Sequence, residues 1–166
     1  AFVPGPLVGY YLFMTLIFRR LALAAVAVAA TVTFLTAQQP APTPVAVFKS
    51  PTCGCCAKWN DHLKSNGFDV TSKDEADMNA VKDQRGVPTA LRSCHTAVVA
   101  GYVLEGHVPA DVVKRLLRER PAGVVGLAVP GMPIGSPGME AADGRKDAYD
   151  VVSFDKSGKT SVFAKK

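Results

Sequence analysis

Polar and apolar positions alternate with two periods along this chain, and the switches between them define a sequence of elements. The apolar run from Val45 to Lys49 reads as a buried strand, Pro51-Thr52 as a turn, and the stretch from Ala57 to Asn66 as a helix stopped by Gly67. Phe68-Asp-Val-Thr71 alternates as a second strand, and Asp74 to Gln84 reads as a polar helix broken by Gly86 and Pro88. Two short β-branched or aromatic runs, Thr96 to Val99 and Tyr102 to Glu105, flank Ala100-Gly101, a hairpin signal. The segment from Pro109 to Arg118 opens with Pro and Asp and closes with cations, the charge order a helix dipole favours. Residues 121 to 143 are dense in Gly and Pro and predict a surface loop without sustained regular structure. Ala148 to Phe154 and Thr160 to Ala164, around Lys156-Ser-Gly158, predict a final hairpin. The order βαβαββα, with a Cys-x-x-Cys frame (Cys53 and Cys56) between the first strand and first helix, is that of a thioredoxin-like α/β domain.

Before this domain the pattern changes. Residues 7 to 37 are almost wholly apolar except for Arg19 and Arg20. Met14-Thr-Leu-Ile-Phe-Arg-Arg20 followed by Leu21-Ala-Leu-Ala-Ala-Val has the charged-then-apolar order of an export signal. Residues 1–37 are therefore read as a signal peptide or an uncleaved membrane segment, with Met14 the expected start and residues 1–13 an upstream over-call. Residues 38–44, Gln-Gln-Pro-Ala-Pro-Thr-Pro, read as a Pro-rich linker, and 45–166 as the domain, facing outside the cytoplasm.

In the 166-residue chain all 14 acidic residues follow residue 37, as do all of the 19 basic ones except Arg19 and Arg20. The exported part is thus only mildly basic. Its charges are interspersed, with no basic stripe, and nothing supports nucleic-acid binding.

The chemistry is concentrated in four cysteines. Cys53, Cys55 and Cys56 share one turn ahead of a helix, where unpaired N–H groups and the helix dipole favour thiolates. Cys94 stands beside His95 and, if the third strand begins near Thr96, lies in the turn next to the Cys-x-x-Cys frame. Beginning that strand at Pro88 instead would carry Cys94 about 20 Å away at strand rise. Adjacent Cys55 and Cys56 are poorly placed to bridge each other, whereas several thiolates on a tight turn suit soft Cu(I), each sulfur able to serve more than one ion. His95, His107, Met132 and Met139 are further candidate copper ligands. Each has a plainer alternative: the histidines as surface or capping groups, the methionines as plugs that seat the loop. A dithiol-exchange site at Cys53 and Cys56 also remains open.

The strings Ser50-Pro-Thr-Cys-Gly-Cys-Cys56, Val87-Pro88, Ser93-Cys-His-Thr-Ala-Val-Val99, Gly101-Tyr102, Glu105-Gly-His-Val-Pro109 and Gly131-Met-Pro-Ile-Gly-Ser-Pro-Gly-Met-Glu140 resemble the periplasmic CopG-type copper-resistance family. The resemblance runs from about Val45 to Phe154. It implies a thioredoxin-like fold, Cys53, Cys55, Cys56 and Cys94 as copper ligands bridging a multinuclear cluster, and a role in copper tolerance through binding or redox cycling of the ion. It also implies partners among periplasmic copper-resistance or efflux proteins. The competing expectations are a thiol-disulfide oxidoreductase, in which Cys53 attacks and Cys56 resolves, and a passive copper chaperone.

Overall fold

The computed structural model describes residues 13–20 and 41–166. Residues 13–20 are helical, and the rest of the expected export segment lies outside the described residues. Pro42–Lys166 form one compact unit. Among the described residues no helix is long and apolar enough to cross a membrane.

Seven strands and three helices build this unit: β1 (Thr43–Lys49), α1 (Gly54–Ser65), β2 (Phe68–Asp74), α2 (Met78–Gln84), β3 (His95–Val99), β4 (Tyr102–Gly106), α3 (Ala110–Glu119), β5 (Val124–Val129), β6 (Asp150–Asp155) and β7 (Thr160–Lys165). The first seven follow the βαβαββα order expected. All strands join one mixed sheet in the order β2-β1-β3-β4-β5-β6-β7. β1 runs parallel to β2 and antiparallel to β3, and β3 is antiparallel to β4.

Two helix boundaries depart from expectation, each for a local reason. α1 begins at Gly54, three residues early, because Cys53 takes the extended N-cap conformation. α2 begins only at Met78, where Asp77 accepts the N–H groups of Asn79 and Ala80, while Asp74 ends β2. As the Thr96 register expects, no strand starts at Pro88, which leads instead into a single 3₁₀ turn, Thr89–Leu91.

The larger correction concerns residues 121–143, expected to lack regular structure. Val124–Val129 is a strand parallel to β4 and antiparallel to β6. Gly126 looks like a breaker in the sequence, yet packing requires it: a Cβ there would meet the Phe154 ring and the Val103 carbonyl at 2.4 Å. The Gly/Pro loop proper is residues 130–149, and the terminal hairpin β6–β7 extends the sheet beyond it.

Strand alternation divides the core between the two faces of the sheet. Val45, Val47, Ala97, Val99, Leu104, Leu127 and Val129 pack with Trp59 and Leu63 of α1 and Val112, Val113 and Leu116 of α3. Val103, Ala128 and Phe154 gather on the opposite side with Val87 and Leu91, the segment that follows α2.

α3 has no capping side chain at Pro109, and His62 of α1 supplies the missing acceptor. Its Nε2 takes the Ala110 N–H at 3.1 Å. Burial holds the His62 pKa below the ordinary 6.5, although Glu140 and Asp111 pull it upward. With the folded pKa below the unfolded one, the unfolded chain binds more protons, so this stability is full above about pH 6.5 and is lost as pH falls below it. Melting temperature is therefore expected to drop between about pH 7 and pH 5.5, and less steeply in His62→Gln, whose amide oxygen still accepts. Equal slopes in the two proteins would remove His62 from this account.

Candidate metal centre

β1 delivers the chain to the turn at Pro51 and Thr52, and α1 begins at once, so the Cys-Gly-Cys-Cys string is compressed into one helical turn. Cys53 is the N-cap and Cys56 points inward, fully buried. The structure joins Cys53 and Cys56 in a disulfide, with Cα atoms 5.4 Å apart. Cys55 and Cys94 are free and half-buried. Cys55 Sγ lies 3.6 Å from Cys53 Sγ.

Cys94 arrives from the neighbouring strand. Because β3 starts at His95, residues 93 and 94 occupy the turn that enters it, beside β1, whose Lys49 pairs with His95. All four cysteine sulfurs lie within 4.8 Å of one another.

A second donor group shares Cys94. His95 and His107, both fully buried, bring ring nitrogens within 4.8 Å of its sulfur and of each other. Cys94 Sγ stands 3.2 Å from His95 Nδ1 and 3.0 Å from His107 Nε2. His107 Nδ1 lies 2.6 Å from the Pro137 carbonyl, which can only accept, so Nδ1 carries the proton and neutral Nε2 offers its lone pair to Cys94. Among the described residues, buried His95 Nε2 has no hydrogen-bond partner of ordinary length. The ring is held edge-on to His107 and 4.4 Å from Trp59, whose indole N–H donates to the Val108 carbonyl at 2.9 Å.

Burial sets the protonation states. It lowers both imidazoles, His95 well below 6.5 with further repulsion from His107 and Lys82, while the Gly106 backbone opposes this in part. For His107 burial outweighs the Pro137 carbonyl and Glu140. Burial, followed by the neighbouring Cys55, pushes the Cys94 thiol up to about 12. At neutral pH the group is thus two neutral imidazoles around a protonated thiol. A soft cation that displaces that one proton meets ligands already in place.

The Gly/Pro loop closes one side. Gly138 has φ +87°, and a Cβ there would sit 2.7 Å from the Cys55 carbonyl oxygen, 3.0 Å from the Trp59 nitrogen and 3.3 Å from His107 Nδ1. Met139 follows it, half-buried. Met132 lies in a turn with φ +49° and is 40% exposed. Glu140 holds the loop by accepting the Gly138 N–H at 2.8 Å.

Sequence reasoning missed Glu105 and Lys82, a buried ion pair next to this centre, and Trp59, the floor beneath His95. Glu105 was at least visible, lying two residues before His107. Lys82 sits in a polar stretch that gives no sign of burial.

The family described as "Protein of unknown function, DUF411" matches residues 91–139. No curated protein matches the chain. Among solved structures, "Copper resistance protein copG- Form 2" is 51% identical over 75% of this chain and 98% of that one, with a TM-score of 0.71. "Copper resistance protein copG- Form 1" has the same identity and coverage, with a TM-score of 0.70. At that identity, with nearly the whole of the related chain covered, this protein belongs to the CopG-type copper-resistance family.

Proposed function

We propose that the protein is exported to the periplasm through residues 1–37 and there takes up Cu(I) as its cargo, contributing to copper tolerance. Cys53, Cys55, Cys56 and Cys94 are the primary donors. His95 and His107 extend the set from the Cys94 side. The observation that carries this reading is the convergence of four sulfurs within 4.8 Å, from two segments far apart in the sequence. Thiolate is the preferred partner of Cu(I), and shared sulfurs allow several ions to be held close together.

The test is an anaerobic Cu(I) titration of the fully reduced protein against a competing chelator. More than one Cu(I) per chain is expected. A clean endpoint at one ion removes the multinuclear site, and no uptake removes the reading altogether.

The disulfide between Cys53 and Cys56 supports a second reading. Those two sulfurs form a dithiol–disulfide couple, and its oxidation releases two electrons, enough to convert two Cu(II) to two Cu(I). The same couple exchanging with protein thiols would be a thiol-disulfide oxidoreductase. Reduced protein mixed anaerobically with Cu(II) separates them: disulfide and Cu(I) appearing in a ratio of one to two supports copper redox turnover, and reactivity only toward protein disulfides supports the oxidoreductase.

Met132 and Met139 are proposed to retain the ion with their thioether sulfurs. Replacing both by Leu conserves volume and should cost under about 1.5 kcal/mol of stability. Cu(I) release to a chelator is nonetheless expected to accelerate. An unchanged affinity and transfer rate would leave the two methionines as packing residues.

A further inference from the structure

We propose that Glu105 is the positioning residue of the Cys94 arm, acting with Lys82 from the opposite face of the sheet; this deepens the copper-site reading above and rests on it. His95 points to the α1 side, against Trp59. The next residue, Thr96, alternates to the other side, where it pairs across the sheet with Glu105. Glu105 is fully buried, and the Lys82 side chain is 4% exposed.

The carboxylate grips both flanks of the Cys94-His95 dipeptide. Its Oε1 accepts the Ser93 backbone N–H at 2.5 Å and Lys82 Nζ at 2.6 Å. Its Oε2 accepts the Thr96 hydroxyl at 2.7 Å, and that hydroxyl in turn accepts Lys82 Nζ at 3.1 Å. Ser93 precedes the strand, so its N–H has no place in the β ladder and depends on this carboxylate. The chain then continues from Glu105 through Gly106 to His107. A Cβ on Gly106 would meet Ser93 Oγ at 2.7 Å, so the turn carrying Cys94 is seated directly on the backbone between Glu105 and His107.

A buried ion pair is a weak source of stability, because desolvation offsets much of its attraction, and an apolar pair of similar volume often serves as well. What an apolar pair cannot do is accept the Ser93 N–H. The ion pair therefore fixes where the Cys94 sulfur stands relative to the Cys-Gly-Cys-Cys turn, and Lys82 fixes the carboxylate.

Two double variants of the full chain isolate that hydrogen bond. Lys82→Met with Glu105→Gln removes both charges and keeps an oxygen acceptor for Ser93. Lys82→Met with Glu105→Met removes the acceptor as well. With folding checked by near-ultraviolet circular dichroism, the first is expected to hold Cu(I) within about 3-fold of the unaltered protein. The second should lose at least ~10-fold in affinity and change the Cu(I)–thiolate emission, the lower end of the loss that follows when outer-shell support of a metal ligand is removed. A folded Met/Met protein with unaltered affinity and emission overturns the proposal. Should that variant fail to fold, Glu105→Asp carries the test: it keeps the charge, but one methylene shorter it cannot reach Ser93 and Lys82 together. The same ~10-fold loss is expected, and unaltered binding overturns the proposal. If the unaltered protein takes up no Cu(I), the parent reading fails. Positioning is then judged by alkylation of Cys94, and equal rates in the Gln and Asp variants and the unaltered protein overturn it.

Discussion

Replacing Cys94 by Ser is expected to cost more copper than any other single substitution in the protein. Cys94 is the one residue common to both donor groups, the four sulfurs and the Cys–His–His set. Its loss leaves the two imidazoles without a sulfur between them and the three remaining sulfurs on a single turn. Removing an outer-shell partner of a metal ligand typically costs 10–100-fold, so loss of this shared ligand should weaken Cu(I) binding by about 100-fold or more. At least one Cu(I) equivalent should also disappear from the endpoint. Cys55→Ser, which removes a sulfur from one group only, should be milder or at most equal. Anaerobic competition titration of the two variants, side by side, decides the matter. A Cys94→Ser protein with full stoichiometry and affinity would make Cys94 structural and confine the site to the Cys-Gly-Cys-Cys turn.

Gly138→Ala should produce the second large effect, on stability and copper binding together. The new methyl group would press on the Cys55 carbonyl and the Trp59 nitrogen, which are α1 backbone and cannot rotate away. It would also occupy a left-handed backbone position at φ +87°, a strain of about 1–2 kcal/mol by itself. Relief requires the loop to lift, which withdraws the Pro137 carbonyl that fixes the His107 tautomer. A fall of roughly 5–10 °C in melting temperature and about a 10-fold loss of Cu(I) affinity are expected. Gly131→Ala is the control. That glycine has φ +77° but nothing within 4 Å of its Cβ direction, so it carries the strain without the collision. Matching results for the two alanine variants would show that the loop does not support the metal centre.

Legibility in the sequence followed the range of the interaction involved. Ala100-Gly101 announced its hairpin through a glycine between two short β-branched or aromatic runs, and the turn takes the form with positive φ at both positions, 46° and 86°. The strand–turn–helix around the cysteines was readable from apolar runs and Pro51. The choice of a third strand starting near Thr96 rather than Pro88 was readable from its hairpin partner. β5 was not, because Gly126 is a breaker by local rules and a necessity only once Phe154, 28 residues later, packs across it. Lys82 was unreadable for the same reason. On its own helix it is one polar residue among others, and only the approach of β4 converts it into a buried counter-charge. Nothing local marked His62 either, because its role as the missing acceptor for α3 depends on how two helices meet.

The Gly/Pro loop leaves the sheet from β5 and returns to it in β6, and these two strands are hydrogen-bonded neighbours. Its ends are therefore pinned side by side in the sheet, like the two ends of a bracelet clasp, whatever its middle does. Ordering such a segment costs less than ordering a free tail of equal length, since the sheet has already closed the ring. A protease that cut once between Met132 and Gly144 would release no fragment: each stub would stay fastened to its own strand, and the severed halves would remain beside α1 at high local concentration. A single nick should accordingly loosen the cover over the cysteines without removing it, and only a pair of cuts would strip it away.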